Sequence, residues 1–288
     1  MKENTSAKRR SSLKTLFIAI LLLIAGCFIL TLMGPFVATI FNEDLEDNGQ
    51  CQEIVANHLR EPRLAEPIAN FPLPAKSETI NLANSAETTL LAEQSLPNSL
   101  LSWQMIVNDD SVAFVEDPEW CAPLSQLKPD GSQLAQIDSY PSEATIIRIC
   151  DLANGTQNKA FSSDETTNAL AFTPDGQYFL LNEGRGRISM YETEKYTRHS
   201  RWDVRGKGEK WRNTNQITIS PDGHLAAFAV REPESLAMTI RLWNIEDEVE
   251  VASLTGHTNT IVSLAFSQDG SFLLSHGMDD VVRIWGIP

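Results

Sequence analysis

A four-residue turn returns along this chain at nearly constant spacing. Lys128-Pro129-Asp130-Gly131, Thr173-Pro174-Asp175-Gly176, Ser220-Pro221-Asp222-Gly223 and Ser267-Gln268-Asp269-Gly270 place their glycines 45, 47 and 47 residues apart. A fixed period of that size belongs to supersecondary units that stack, because no single unit can bury its apolar face alone. In each turn an Asp precedes a Gly that can take positive φ, and apolar runs flank it, as in Ala169 to Phe172 and Tyr178 to Leu181. That is hairpin chemistry. After every turn comes a segment that alternates apolar and polar residues: Ile147-Arg148-Ile149-Cys150, Ile188-Ser189-Met190-Tyr191, Ile240-Arg241-Leu242-Trp243 and Val282-Arg283-Ile284-Trp285. Such alternation predicts a strand with one buried face.

The last unit runs from Gly256-His257 through Ile261 to Phe266 and Asp269-Gly270 to Val282-Arg283-Ile284-Trp285, and it resembles a complete WD repeat. The three units before it resemble weaker copies. The resemblance implies an all-β chain, a WD-repeat β-propeller of about five four-stranded blades. A degenerate fifth copy is expected over Ile80 to Trp103, with Ser85-Ala86-Glu87 at its turn. The resemblance also implies that His257, Ser275, Asp279 and Trp285 form the family's hydrogen-bonded structural tetrad, complete in this unit only. Cys150 and Tyr191 stand where the family usually has Trp, and Gly286 replaces its Asp. His257 and Asp279, with His276 and Asp280 nearby, also allow a metal-ligand or acid–base reading. The structural reading is favoured, because a buried His needs a partner. Pro288 follows the third strand of the last blade, so a strand from ahead of the first blade is expected to complete it. Leu64 to Phe71 is that segment in this reading, and Pro62, Pro67 and Pro72 suit an outermost strand.

Thr15 to Phe41 is a run of 27 residues without a charge, longer than the roughly 20 that a helix needs to cross a bilayer. Lys8, Arg9, Arg10 and Lys14 precede it, while Glu43, Asp44, Glu46 and Asp47 follow, which places the N-terminus in the cytoplasm and the remainder outside. The expected organisation is a cytoplasmic basic tail (1–14), a transmembrane signal anchor (15–41), an acidic stalk (42–62) and the propeller (63–288). Ile24-Ala25-Gly26-Cys27 resembles a lipoprotein processing site, so lipidation at Cys27 is the alternative tether. Phe28 to Ile40 stays apolar, which speaks against it. Cys51, Cys121 and Cys150 follow the anchor and permit one disulfide. Cys51 with Cys121 is the expected pair, since both lie in turn-rich sequence and Cys150 sits inside a strand.

The net charge of −15 repels phosphate backbones, so nucleic acid is not an expected partner. Yet nine basic residues fall between Arg185 and Arg212 against four acids, Glu192, Glu194, Asp203 and Glu209. In an up-and-down blade, the turn between the second and third strands emerges at the same end as the connection to the next blade. Arg185, Arg187, Arg205, Lys207, Lys210 and Arg212 are therefore expected on one rim, with Trp202 and Trp211 as interface aromatics. The partner expected there is an acidic protein steered to the patch; solvated loop charges are the plain alternative. There is no phosphate-cradling glycine loop, paired-Cys metal motif, His-Glu-x-x-His or nucleophile elbow. No cofactor, metal or catalytic residue is thus expected. The favoured function is a membrane-anchored extracytoplasmic scaffold or sensor domain. A Cys27-tethered assembly factor and a propeller enzyme or small-ligand binder using the central channel are the alternatives.

Overall fold

The computed structural model describes residues 49–58, 69–75, 78–95, 103–107, 111–116, 124–138, 145–163, 167, 169–183, 186–204, 214–231 and 236–286. The basic tail, the apolar run with Cys27, Leu64, Cys121, Arg185, and the stretch from Arg205 to Arg212 with Trp211 lie outside the described residues. Among the described residues no helix is long and apolar enough to cross a membrane.

Helix α1 (Gln50–His58) is followed by strands β1 (Ala69–Pro72), β2 (Thr89–Ser95), β3 (Trp103–Val107) and β4 (Ser111–Glu116). The second sheet consists of β5 (Leu124–Leu127), β6 (Gln133–Asp138), β7 (Thr145–Asp151) and β8 (Gln157–Ser163). The third consists of β9 (Ala169–Phe172), β10 (Tyr178–Asn182), β11 (Arg187–Glu192) and β12 (Arg198–Asp203). The fourth consists of β13 (Thr214–Ile219), β14 (Leu225–Arg231), β15 (Met238–Asn244) and β16 (Val249–His257). The fifth starts with β17 (Ile261–Phe266), β18 (Leu273–Gly277) and β19 (Val281–Gly286), and the early strand β2 completes it. The first sheet has the order β1-β4-β3. All pairings are antiparallel, and these four-stranded sheets have the build of propeller blades.

Both faces of a sheet are apolar, and they pack on different neighbours. Ala135, Ile137, Ile147 and Ile149 of the second sheet meet Leu170, Phe172, Phe179 and Leu181 of the third. Leu180, Ile188 and Met190 face the other way, onto Ala226, Phe228 and Trp243 of the fourth. Leu225, Ile240 and Leu254 pack on Leu264, Leu273 and Trp285 of the fifth, whose Phe272, Leu274 and Ile284 cover Met105, Val112 and Phe114 of the first. Alternate residues of one strand therefore serve successive interfaces, and each large apolar side chain so buried contributes about 1.5–3 kcal/mol.

The recurrent turns follow one hydrogen-bond scheme. Ser220 Oγ donates to Asp222 and accepts from Leu225 N–H at 2.9 Å, while Gly223 N–H donates to Ser220 C=O at 2.8 Å. Thr173 with Asp175 and Ser267 with Asp269 repeat the scheme, and the Lys128–Asp130 ion pair at 2.9 Å stands in for it in the second sheet. The turns also stack from sheet to sheet. Pro174 lies against Gly223 and Pro221 against Gly270, so these positions carry both a packing role and a backbone one.

Three expectations are corrected. The described part of Leu64 to Phe71 does not supply the closing strand: Ala69–Pro72 pairs with β4, and β2 pairs with β19 from Val281↔Ser95 to Gly286↔Thr89. β2 is seven residues long and free of proline, and it brings Glu93 opposite Arg283. The degenerate copy over Ile80 to Trp103 is therefore not one blade. Its first part crosses the fifth sheet, with Ile80 N–H donating to Gly270 C=O at 2.9 Å, and its second part becomes β2. The segment read as an acidic stalk contains α1, docked on the second sheet.

Gly223 has φ +79°, where a Cβ is strained. Gly223→Ala should lower stability by about 1–2 kcal/mol in urea unfolding. A variant as stable as the parent would contradict the role assigned to these turns.

Candidate functional site

The polar side chains of the last repeat form one buried chain. Trp285 Nε1–H donates to Ser275 Oγ at 2.9 Å, Ser275 Oγ lies 2.8 Å from His257 Nε2, and His257 Nδ1 lies 2.9 Å from Asp279 Oδ1. One proton pattern satisfies every member: Ser275 donates to Nε2, and Nδ1–H donates to the carboxylate. Thr258 N–H adds a bond of 3.0 Å to Asp279 Oδ2. β16, β18, the turn after it and β19 each supply one tetrad residue, so the chain of bonds ties three strands together.

Ser, His and Asp in this order could also be a nucleophilic triad. Burial decides between the readings. Ser275 is 0% exposed and its oxygen already accepts from Trp285, so a substrate carbonyl has no approach to it. His257 is held neutral: burial lowers its pKa, and Arg283 adds to that against the opposing pull of Asp279. Burial pushes the Asp279 carboxyl up, but the bonds from Thr258, His257 and Arg283 outweigh it and hold Asp279 below the usual carboxylate range. Gly277 leaves the room required. A Cβ there would run into His257 Nδ1 and Asp279 Oδ1. Among the described residues no group of His, Cys, Asp and Glu is placed to hold a metal.

Arg283 extends the network to the closing strand. Its Nη1 lies 3.0 Å from Asp279 Oδ2, and its Nε lies 3.1 Å from Glu93 Oε2. Related arginines occupy the same register in two other sheets. Arg148 Nη1 donates to Gln157 Oε1 at 2.9 Å, and Arg241 Nη1 to Glu250 Oε2 at 2.8 Å. In the third sheet the arrangement is inverted: Ser189 holds that place, and Arg201 on the outer strand reaches it at 3.2 Å while pairing with Glu183. Glu183 also accepts from Tyr191 Oη at 3.0 Å, and burial together with that carboxylate pushes the Tyr191 phenol up to about 12. Sequence reasoning missed this set. The available signal was that the polar member of each Ile-Arg-Ile, Ile-Arg-Leu and Val-Arg-Ile alternation is the same residue, which a strand merely facing water does not require.

His276 sits on the opposite face of β18, edge-on to Phe114 with ring centroids 5.1 Å apart. Its Nδ1 is buried without a hydrogen-bond partner.

The residue in the Trp register of each third strand faces the preceding sheet. Tyr191 stacks on Phe161 at 5.5 Å, and Trp243 stacks on Trp202 at 6.2 Å. Cys150 is covalently bonded to Cys51 of α1. This corrects the expected Cys51–Cys121 pair. A strand interior does not keep Cys150 from a partner, because its side chain points out of the sheet into the face that α1 covers.

The expected rim residues divide. Arg187 opens β11 and pairs with Asp203 at the end of β12, and Val204 N–H donates to Gly186 C=O at 2.9 Å. The start of β11 and the end of β12 therefore lie at one end of the sheet. Trp202 is corrected: it is only 2% exposed and packed between the third and fourth sheets, so it is a core side chain and no interface aromatic.

Burial, with a smaller contribution from His257, lowers the His276 pKa from 6.5 to about 4. Between those values the unfolded chain takes up a proton that the folded one refuses. The stability this group contributes is complete above pH 6.5 and is lost as pH falls toward 4, by about 3 kcal/mol at most. His276→Leu should therefore become progressively more stable than the parent as urea unfolding is repeated from pH 6.5 down to 4. Parallel stability curves would contradict this.

Comparison with known proteins agrees with the geometry. The family model "WD domain, G-beta repeat" matches residues 248–286, which hold the whole tetrad. Elongator complex protein 2 of Dictyostelium discoideum is 35% identical over 69 residues, 24% of this chain and 8% of its own length. Apoptotic protease-activating factor 1 of Rattus norvegicus is 36% identical over 67 residues, 23% of this chain and 5% of its own length. An uncharacterized WD repeat-containing protein of Synechocystis sp. is 28% identical over 118 residues, 41% of this chain and 31% of its own length. The chain thus spans only a minor part of the curated relatives it matches. Among solved structures, Kuenenia stuttgartiensis hydrazine synthase is similar at a TM-score of 0.43 and 20% identity over 52% of this chain and 40% of that one, a likeness too slight to bear on fold or function. The matched repeat and the tetrad inside it make residues 248–286 a WD40 repeat, and the four-stranded sheets before it share its build.

Proposed function

We propose that this chain is a membrane-anchored WD-repeat scaffold or sensor domain, a five-bladed ring on the extracytoplasmic side that binds a protein partner at one rim. WD repeat proteins generally act as protein-interaction scaffolds, and Ser275, His257 and Asp279 of the last repeat are engaged with one another in the interior. The observation that carries the location is the Cys51–Cys150 disulfide. Such bonds persist in oxidising compartments outside the cytoplasm, and this one begins soon after an uncharged run flanked by bases before and acids after.

Charge supports the choice of rim. Arg187 and Val204 lie at one end of the third sheet, and the neighbouring sequence holds Arg185, Arg205, Lys207, Lys210 and Arg212, with Trp211 among them, on an otherwise acidic chain. A local positive field on a negative body steers an acidic partner to one place. Leu236, exposed in the turn between β14 and β15, lies in the same kind of turn as the residues before Arg187.

The test uses the full chain carrying Leu236→Cys, with Cys27 and Cys121 replaced by Ala, in right-side-out membrane vesicles. A membrane-impermeant maleimide should label it without lysis, and a maleimide-linked photo-crosslinker at that position should join it to a protein neighbour. Adding R205A, K207A, K210A and R212A should reduce the adduct several-fold. Labelling only after lysis would overturn the location, and an undiminished adduct would remove the basic rim.

A further inference from the structure

Each of the third, fourth and fifth sheets packs its Trp-register side chain against the sheet before it. Tyr191 lies on Phe161, Trp243 on Trp202, and Trp285 among Leu225, Ile240 and Leu242. In the second sheet the same register is Cys150, and the residues around it are Leu134, Leu152 and the helix residues Cys51, Ile54 and Val55. The opposite face of that sheet is already committed to the third sheet. Helix α1 thus stands where a preceding sheet stands elsewhere. The turn after β7 is shaped to admit it: Gly155 takes φ +64°, and a Cβ there would meet Gln52 Cα and Cγ at 3.3 Å.

α1 is a weak helix in isolation. It has nine residues, Gln50–His58, below the roughly 12–15 at which isolated helices become even marginal in water. Ile54 and Val55, which make its apolar contact, are β-branched and lower its propensity further. Two such side chains are a small return for ordering the whole segment. The disulfide changes that balance, because it joins residues 99 apart and removes most of the freedom the undocked segment would regain.

We propose that α1 is an oxidation-dependent seal: it covers the open face of the second sheet only once the Cys51 and Cys150 thiols have been joined. Joining them removes two protons and two electrons, which a thiol oxidant or a disulfide donor accepts. A dithiol such as dithiothreitol reverses the step, leaving two cysteine thiols and its own cyclic disulfide. In the reduced chain α1 undocks, and Leu134, Cys150 and Leu152 face solvent while the interfaces among the third, fourth and fifth sheets persist. The bond thereby reports on compartment. A chain still in a reducing environment presents an apolar face that the exported, oxidised chain hides.

Hydrogen exchange of the full chain in detergent, oxidised and after dithiothreitol, tests this, with C51S and C150V as bond-free variants. In the reduced chain and in both variants the amides of residues 50–58 should exchange at least 100-fold faster, while those of residues 225–231 change less than 3-fold. C150V keeps an apolar side chain at the register, so its behaviour separates the bond from simple packing. Retained protection of residues 50–58 without the bond would overturn the proposal. So would equal acceleration in every sheet, which would make the bond a support of the whole fold and not a local seal.

Discussion

The pairing of β2 with β19 is the contact on which the remaining architecture depends. Without it, the last sheet would end on a row of unpaired N–H and C=O groups, and the first and fifth sheets would not be brought together. Ile80 prepares the pairing: it is fully buried between the fourth and fifth sheets and hydrogen-bonded to Gly270 before the chain turns into β2. The strand then lays Leu91 and Ala92 along the interface where Phe114 of the first sheet meets Phe272, Leu274 and Ile284. β3 and β4 follow shortly after, so their position is set by where β2 is held.

The polar groups of the tetrad are tolerated in the interior because they are satisfied in series. Trp285, Ser275, His257 and Asp279 pass one chain of hydrogen bonds along the last repeat, and Arg283 joins it to Glu93 of the closing strand by an ion pair. Closure of the fold and integrity of the tetrad are therefore one network. An unpaired buried polar group costs more than a made bond returns, which is why removal of any internal member affects all of it. The other sheets solve the same problem differently. Arg148 and Arg241 use side chains of the adjoining outer strand, and the third sheet moves the arginine to that outer strand itself.

The repeat was legible because its turns use fixed chemistry: Asp175, Asp222 and Asp269 each bond back to the residue that opens the turn. The tetrad was legible because one repeat retains all four residue types. The closing strand was misplaced because strand pairing across the length of a chain leaves no local period. The complementarity of Glu93 to Arg283 favours Thr89–Ser95 over the segment ending at Phe71, and it is visible only once both strands are in register. Trp202 neighbours a basic run, a surface signal, yet the strand's parity turns it inward beside Trp243 while Arg201 and Asp203 stay outside. Cys150 was set aside for lying in a strand, and no pattern announced that a short helix would cover that face.

Cysteine crosslinking of the full chain, with Cys27 and Cys121 replaced by Ala, tests the closure most directly. Ser95 and Val281 face each other across β2 and β19, so S95C with V281C should oxidise to an intramolecular crosslink, while F71C with V281C should not. Crosslinking of the second pair in place of the first would show that another segment closes the last sheet.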